Sequence, residues 1–252
     1  MLSPDRHAPV EGLLSERQIV LPLVLAVLLT LALYLTLFHF YTPAGPGLMD
    51  RYLGNGFCRL IGAVFGAATL YAALQGLGLA VERYHLTLLN DYRLPPPGYG
   101  LACFLSGRRA SDEDAFLHAA RRWYGRARSQ AALAQLADHL LLLRGQQHQH
   151  NLAPLQFTVW VLPLLGFIGT VIGISQAIGG LETAVDGNGT ASLNQVLGGL
   201  SFAFDTTFLG LVLVIPTMLY TLPLRTRAEK LDLRYQEILL ERLLAEGDPK
   251  AA

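Results

Sequence analysis

Four long apolar runs, separated by stretches that hold most of the charge, organise this chain: Ile19 to Tyr41, Phe57 to Ala80, Leu155 to Gly179 and Val196 to Leu222. A helix needs about 20 apolar residues to cross the hydrocarbon core of a bilayer, and each run is long enough. The first run exceeds the apolar core of a secretory signal peptide, and no A-x-A cleavage pattern follows it in YTPAGPG, so it reads as a retained helix. Between the second and third runs, VERYHLTLLNDYRL extends the second helix until Pro95-Pro96-Pro97-Gly98 ends it. SDEDAFLHAARRWYGRARSQ and AALAQLADHLLLLRGQ then predict two further helices, with Ser111 and Asp114 at capping-box spacing. The tail after the fourth run sets Leu231, Ile238, Leu239 and Leu243 at near-helical spacing among charges and predicts a continuation of that helix.

Composition agrees with the pattern. Of 252 residues, 52% are hydrophobic and only 15% charged, and the mean hydropathy is +0.38, which excludes an ordinary soluble domain. The expected fold is an all-α integral membrane protein with four transmembrane helices. Its parts are a cytoplasmic N-terminus (1–18), transmembrane helices 1 and 2 (19–80), a cytoplasmic helical segment (81–154), helices 3 and 4 (155–225) and a cytoplasmic C-terminal helix (226–252).

Orientation follows from the basic residues, because short loops rich in Lys and Arg stay cytoplasmic. Arg6 and Arg17 precede the first run, nine arginines lie from Arg83 to Arg144, and six Lys or Arg follow Leu224. The two short connecting loops contain only Arg51, with Arg59 just inside the second helix. Both termini and the middle segment are therefore expected in the cytoplasm.

Cys58 and Cys103 fall on opposite sides of this topology and cannot pair. DGNG in the loop before the fourth run lacks the ligand spacing and closing Glu of an EF-hand and reads as a turn. His148 and His150 in QQHQH read as a solvated juxtamembrane turn in preference to a metal site. No nucleophile motif, metal cluster or nucleotide loop supports an enzyme, and no feature points to nucleic acid.

The two inner runs carry the candidate chemistry. Gly166, Gly169, Thr170, Gly173 and Ala177 share one face of the third helix, and Gly199, Ala203, Thr206, Gly210 and Thr217 repeat the pattern on the fourth. Small faces allow close helix approach in lipid. Pro163 and Pro216 lie inside these runs and are expected to kink or loosen them. Asp205 is the exception in FAFDTTFLG, costing about 2.5 to 3.5 kcal/mol at bilayer depth unless paired, protonated or hydrated. Candidate hydrogen-bond partners are Thr206, Ser201, Gln75 and Gln176. At about 100° per residue, Asp205 and Thr207 project in nearly opposite directions.

LPLLGFIGTVIGISQAI, followed about thirty residues later by LNQVLGGLSFAFDTTFLGLVLVIP, resembles the two signature helices of the MotA/TolQ/ExbB proton-channel family. The match covers residues 155 to 225 well and the remainder in topology. That topology is similar to the four-helix flagellar stator branch, with a shorter cytoplasmic segment. The resemblance implies a bacterial inner-membrane subunit of a rotary ion-driven motor. Five copies would surround two copies of a single-span MotB/TolR/ExbD-like partner that carries a transmembrane Asp. No cofactor is implied beyond the coupling ion, a proton in preference to sodium, and membrane lipids are the remaining partner. Thr170 and Thr207 match the family's pore-side threonines. A carboxylate on this helix in the ExbB branch falls three residues earlier, at Phe202 here, so Asp205 receives no role from the family and reads as a gating or structural carboxylate, with a direct proton relay as the rival reading. Two other readings compete: a membrane scaffold whose helices pack and recruit partners without conducting ions, and a solute transporter, for which matching broken helices are not evident.

Overall fold

A computed structural model of the chain describes residues 17–40, 48–90, 99–106, 130–185 and 189–246. Every element among them is helical: α1 (Arg17–Phe40), α2 (Leu48–Gly54), α3 (Gly56–Asn90), α4 (Tyr99–Ser106), α5 (Gln130–Val185) and α6 (Gly189–Glu246). Four of these helices are long and apolar enough to span a membrane, through Gln18–Leu37, Gly56–Tyr84, Leu141–Leu181 and Leu193–Glu237. The chain is a multi-pass, all-α membrane protein. The triple proline, the Ser111 cap and the Asp186 to Asn188 turn lie outside the described residues.

α5 and α6 are single helices of 56 and 58 residues. Each has far more residues than the roughly 20 a bilayer requires. The expected boundary between the cytoplasmic segment and the third membrane helix, at residues 154/155, falls inside α5, which continues through it. Pro163 and Pro216 likewise sit in continuous helix, although each removes the donor to the carbonyl four residues earlier, Val159 or Val212.

The residues fall into two compact units. One comprises Ala26–Tyr71 and Pro154–Thr221. Within it α1 meets α3 through large-on-small packing: a Cβ on Gly62 would lie 2.5 Å from the Tyr34 hydroxyl, and one on Gly66 would lie 3.3 Å from Thr30 Cγ2. Tyr34 donates to the Arg59 carbonyl (3.1 Å), and Thr30 satisfies its hydroxyl on Ala26 one turn back (2.7 Å). Asn55 caps α3, its side-chain oxygen accepting from the Phe57 amide at 3.0 Å.

The second contact in this unit is the approach of α5 to α6. A Cβ on Gly173 would lie 2.5 Å from the Gly199 carbonyl oxygen and 2.7 Å from Ala203 N. One on Gly199 would lie 2.6 Å from the Gly173 oxygen, and one on Gly210 would lie 2.7 Å from the Leu162 oxygen. These are backbone atoms and cannot rotate away. At these three positions hydrogen is the only substituent that fits, and small residues recur on both faces of the seam.

The other unit comprises residues 1–25, 72–153 and 222–252. Its described part holds a polar chain in which Gln75 donates to the Gln18 carbonyl (3.0 Å) and Asn151 to the Gln18 side-chain oxygen (3.2 Å). Beside it lies a buried ionic cluster. Arg144 pairs with Glu82 and with Asp232 (3.3 Å), and His148 Nε2 lies 3.2 Å from Asp232. The Arg144 guanidinium also sits 3.2 Å from the centre of the Tyr235 ring. QQHQH is therefore not a turn. It lies inside α5, with His148 buried in this cluster and His150 exposed. No His/Cys/Asp/Glu group suited to a metal occurs among the described residues.

The glycine seam makes a sharp contrast available between neighbours. A Cβ on Gly198 would meet nothing within 4 Å, whereas one on Gly199 collides with backbone. Gly199→Ala is expected to destabilise the protein by about 2 kcal/mol or more through overpacking. Gly198→Ala should be neutral or stabilising by about 0.5 kcal/mol through helix propensity. Unfolding in detergent measures both, and equal stability of the two variants would reject the seam as a close contact.

Candidate ion pathway

The seam positions Thr170 of α5 and Thr207 of α6 against each other. A Cβ on Gly166 would lie 3.1 Å from the Thr206 oxygen and 3.2 Å from Thr207 Cα, so the two backbones are close enough for short side chains to bridge them. The hydroxyls of Thr170 and Thr207 are hydrogen-bonded to one another. Both also reach the same acceptor, the Gly166 carbonyl, at 3.2 Å from Thr170 and 3.1 Å from Thr207. Thr170 lies in addition 3.5 Å from the Ala203 carbonyl. Each hydroxyl has one proton, so this cluster offers more acceptors than protons, and each O–H has alternative orientations.

Thr206 behaves differently. It is fully buried, and its hydroxyl bonds back to the Phe202 (3.0 Å) and Ala203 (3.1 Å) carbonyls of its own helix. A Cβ on Gly169 would overlap its side chain. Thr206 is therefore a packing residue beside Gly169, and Thr217 likewise bonds back to Leu213 (2.7 Å).

Asp205 projects away from this seam, as the helical wheel requires. Arg51 of α2 donates from Nε to Asp205 Oδ2 at 2.7 Å and from a terminal nitrogen to Ser201 Oγ at 3.0 Å. Ser201 in turn donates to Asp205 Oδ2 at 3.5 Å. The carboxylate is buried, with its side chain 10% exposed, while Arg51 is half-exposed at 49%. The hydrogen bond to the carboxylate, then its charge, raises the Arg51 pKa above its ordinary value. Phe57 of α3 and Phe202 of α6 pack nearby with ring centroids 6.2 Å apart.

Of the four partners expected for Asp205, the structure places Ser201 there. Thr206 faces the seam, Gln75 serves the Gln18 carbonyl, and Gln176 is exposed. The residue missed was Arg51. A signal was present: a lone arginine in the short connecting loops, where the positive-inside rule disfavours it, and a lone aspartate in an apolar run are natural counter-charges.

Comparison with protein-family models matches residues 110–237 to the MotA/TolQ/ExbB proton channel family. The chain belongs to this family. The matched region contains all of the α5–α6 seam, both threonines and Asp205. Neither the curated proteins nor the solved structures yield a match. Membership of the MotA/TolQ/ExbB family makes this a membrane channel-type subunit, of a kind that works with a MotB/TolR/ExbD-type partner.

The Asp205 site generates its own test. Arg51→Ala leaves a buried carboxylate without its cation and should reduce folded yield and thermal stability clearly. Arg51→Ala combined with Asp205→Ala should recover much of that loss. Losses that simply add in the double variant would show that the pair is not coupled.

Proposed function

We propose that this chain is the channel subunit of a rotary, proton-driven motor in a bacterial inner membrane, with five copies around two copies of a single-span partner whose helix carries an ion-accepting Asp. Both termini and the residue 81–154 segment lie in the cytoplasm in this reading, which the distribution of Arg and Lys supports. The observation that carries it is the Thr170–Thr207 hydroxyl pair over the Gly166 carbonyl, inside the region that matches the family.

A hydroxyl of the pair can accept an incoming proton on an oxygen lone pair while passing its own proton to the next acceptor, and then reset by rotating, with no fixed charge left in the path. A proton moving down the membrane potential releases about 2.3 kcal/mol per 100 mV. Several such crossings suffice to drive a rotation against a load in transport, envelope maintenance or motility. Asp205 is assigned a structural role, because Arg51 and Ser201 both engage its Oδ2.

The spanning windows of the four helices are only 17 to 28% buried within one chain. Trp160, Phe167, Phe204, Phe208 and Ile215 are among the large apolar side chains left exposed. That surface is suited to lipid and to neighbouring copies, which supports the assembled form. A second reading has a specific observation behind it. The same hydroxyls could serve only to close the helix seam, in a membrane scaffold that conducts nothing.

Thr207→Val separates the two, since it keeps the shape and removes the hydroxyl. Assembly at wild-type level with proton flux in proteoliposomes reduced at least about tenfold is expected, a loss of about 1.4 kcal/mol in the barrier sense. Thr207→Ser should conduct. Wild-type flux through Thr207→Val would reject the pore role, and an Asp205→Asn protein that assembles but conducts no protons would reject the structural assignment of Asp205.

A further inference from the structure

A groove of about 480 Å³ runs between α3 and α6, within the unit that holds the ionic cluster. Its walls carry four cations, Arg83, Arg227, Lys230 and Arg234, and no carboxylate. The last three lie at spacings of three, four and seven along α6, which puts them on one face over about 10 Å of helix. Gly76 and Ala80 of α3 provide small residues along the groove. At Gly76 the helices close up, since a Cβ there would lie 3.3 Å from Leu224 Cδ2.

The charge of this groove is not cancelled locally. Three nearby carboxylates are engaged elsewhere: Glu82 and Asp232 with Arg144, and Glu229 with Arg225 at 3.0 Å. Among the described residues, no carboxylate lies within ion-pairing distance of Arg83, Arg227, Lys230 or Arg234. All four are exposed. Four unpaired cations beside one another repel, and an anion relieves that repulsion.

Location decides what kind of anion. The basic residues begin where the apolar runs of both helices end, after Val81 on α3 and after Leu224 on α6. On the apolar side of that line Leu77 and Leu222 are exposed, ready for hydrocarbon. A ligand placed here meets cations at one end and an aliphatic surface at the other. We propose that the groove binds an anionic phospholipid with two phosphates in its headgroup, of the diphosphatidylglycerol type. Three cations spread over about 10 Å of α6, with Arg83 on the facing helix, suit two phosphates better than one. Arg227 and Arg234 can each clasp a phosphate through paired N–H donors, with Lys230 between them as a mobile charge. The site is independent of ion conduction.

The test uses the full chain, purified in neutral detergent and stripped of lipid. Diphosphatidylglycerol should raise the melting temperature saturably and remain bound at one molecule per chain in native mass spectrometry, with phosphatidylcholine doing neither. Arg227→Gln/Lys230→Gln/Arg234→Gln should weaken binding on the order of a hundredfold, whereas Arg225→Gln/Glu229→Gln, which removes the ion pair outside the groove, should leave it unchanged. Should the triple variant lose helix content, Lys230→Gln alone should weaken binding by roughly fivefold. Equal binding of phosphatidylcholine, or full binding by the folded triple variant, would overturn the proposal. Displacement of the lipid by inorganic pyrophosphate would identify a free polyphosphate site instead. Absence of lipid from the assembled oligomer would show that a neighbouring copy covers the groove, and would overturn it equally.

Discussion

The approach of α5 to α6, close enough that only hydrogen fits at Gly173, Gly199 and Gly210, is the constraint on which the candidate site depends. In lipid, helices gain no hydrophobic energy by meeting one another, so association rests on dispersion contacts and hydrogen bonds, both of which demand short range. The seam supplies that range. It also explains the pairing of Thr170 with Thr207, since threonine side chains are too short to meet between helices at ordinary separation. Thr206, one residue away, is spent on packing against Gly169.

On the other side of α6 a different logic operates. There the chain accepts a carboxylate in an apolar helix and answers it with an arginine from another helix. Because Arg51 is half-exposed within the chain, the pair is not a fully buried one, and the carboxylate bears more of the desolvation cost than the arginine. The two polar surfaces of FDTTFLG thus differ in kind: one is neutral, dense and internally hydrogen-bonded, and the other is a charged pair whose arginine is half-exposed.

Much of this was legible along the chain because the relevant signals are local. Apolar run length marks the four spans, and glycine at helical spacing marks the seam faces. The Asp205 and Thr207 directions follow from helix periodicity alone. The partner of Asp205 was not legible in the same way, because nothing local to residue 205 says which of the polar residues outside its helix folds against it. QQHQH was misjudged for the complementary reason: its polarity suggested solvent, whereas long-range contacts with Asp232 and Glu82 bury His148 within α5. Glu82, Arg144 and Asp232 are far apart in the chain, and their convergence from three helices makes them a core.

The separation of Arg51 from Asp205 also bears on how such a protein is made. The two residues are 154 positions apart, and the arginine is synthesised first. By the time the fourth hydrophobic segment emerges from the ribosome, its counter-charge is already in place at the membrane. The carboxylate of that segment is therefore without its cation only until the segment docks against Arg51.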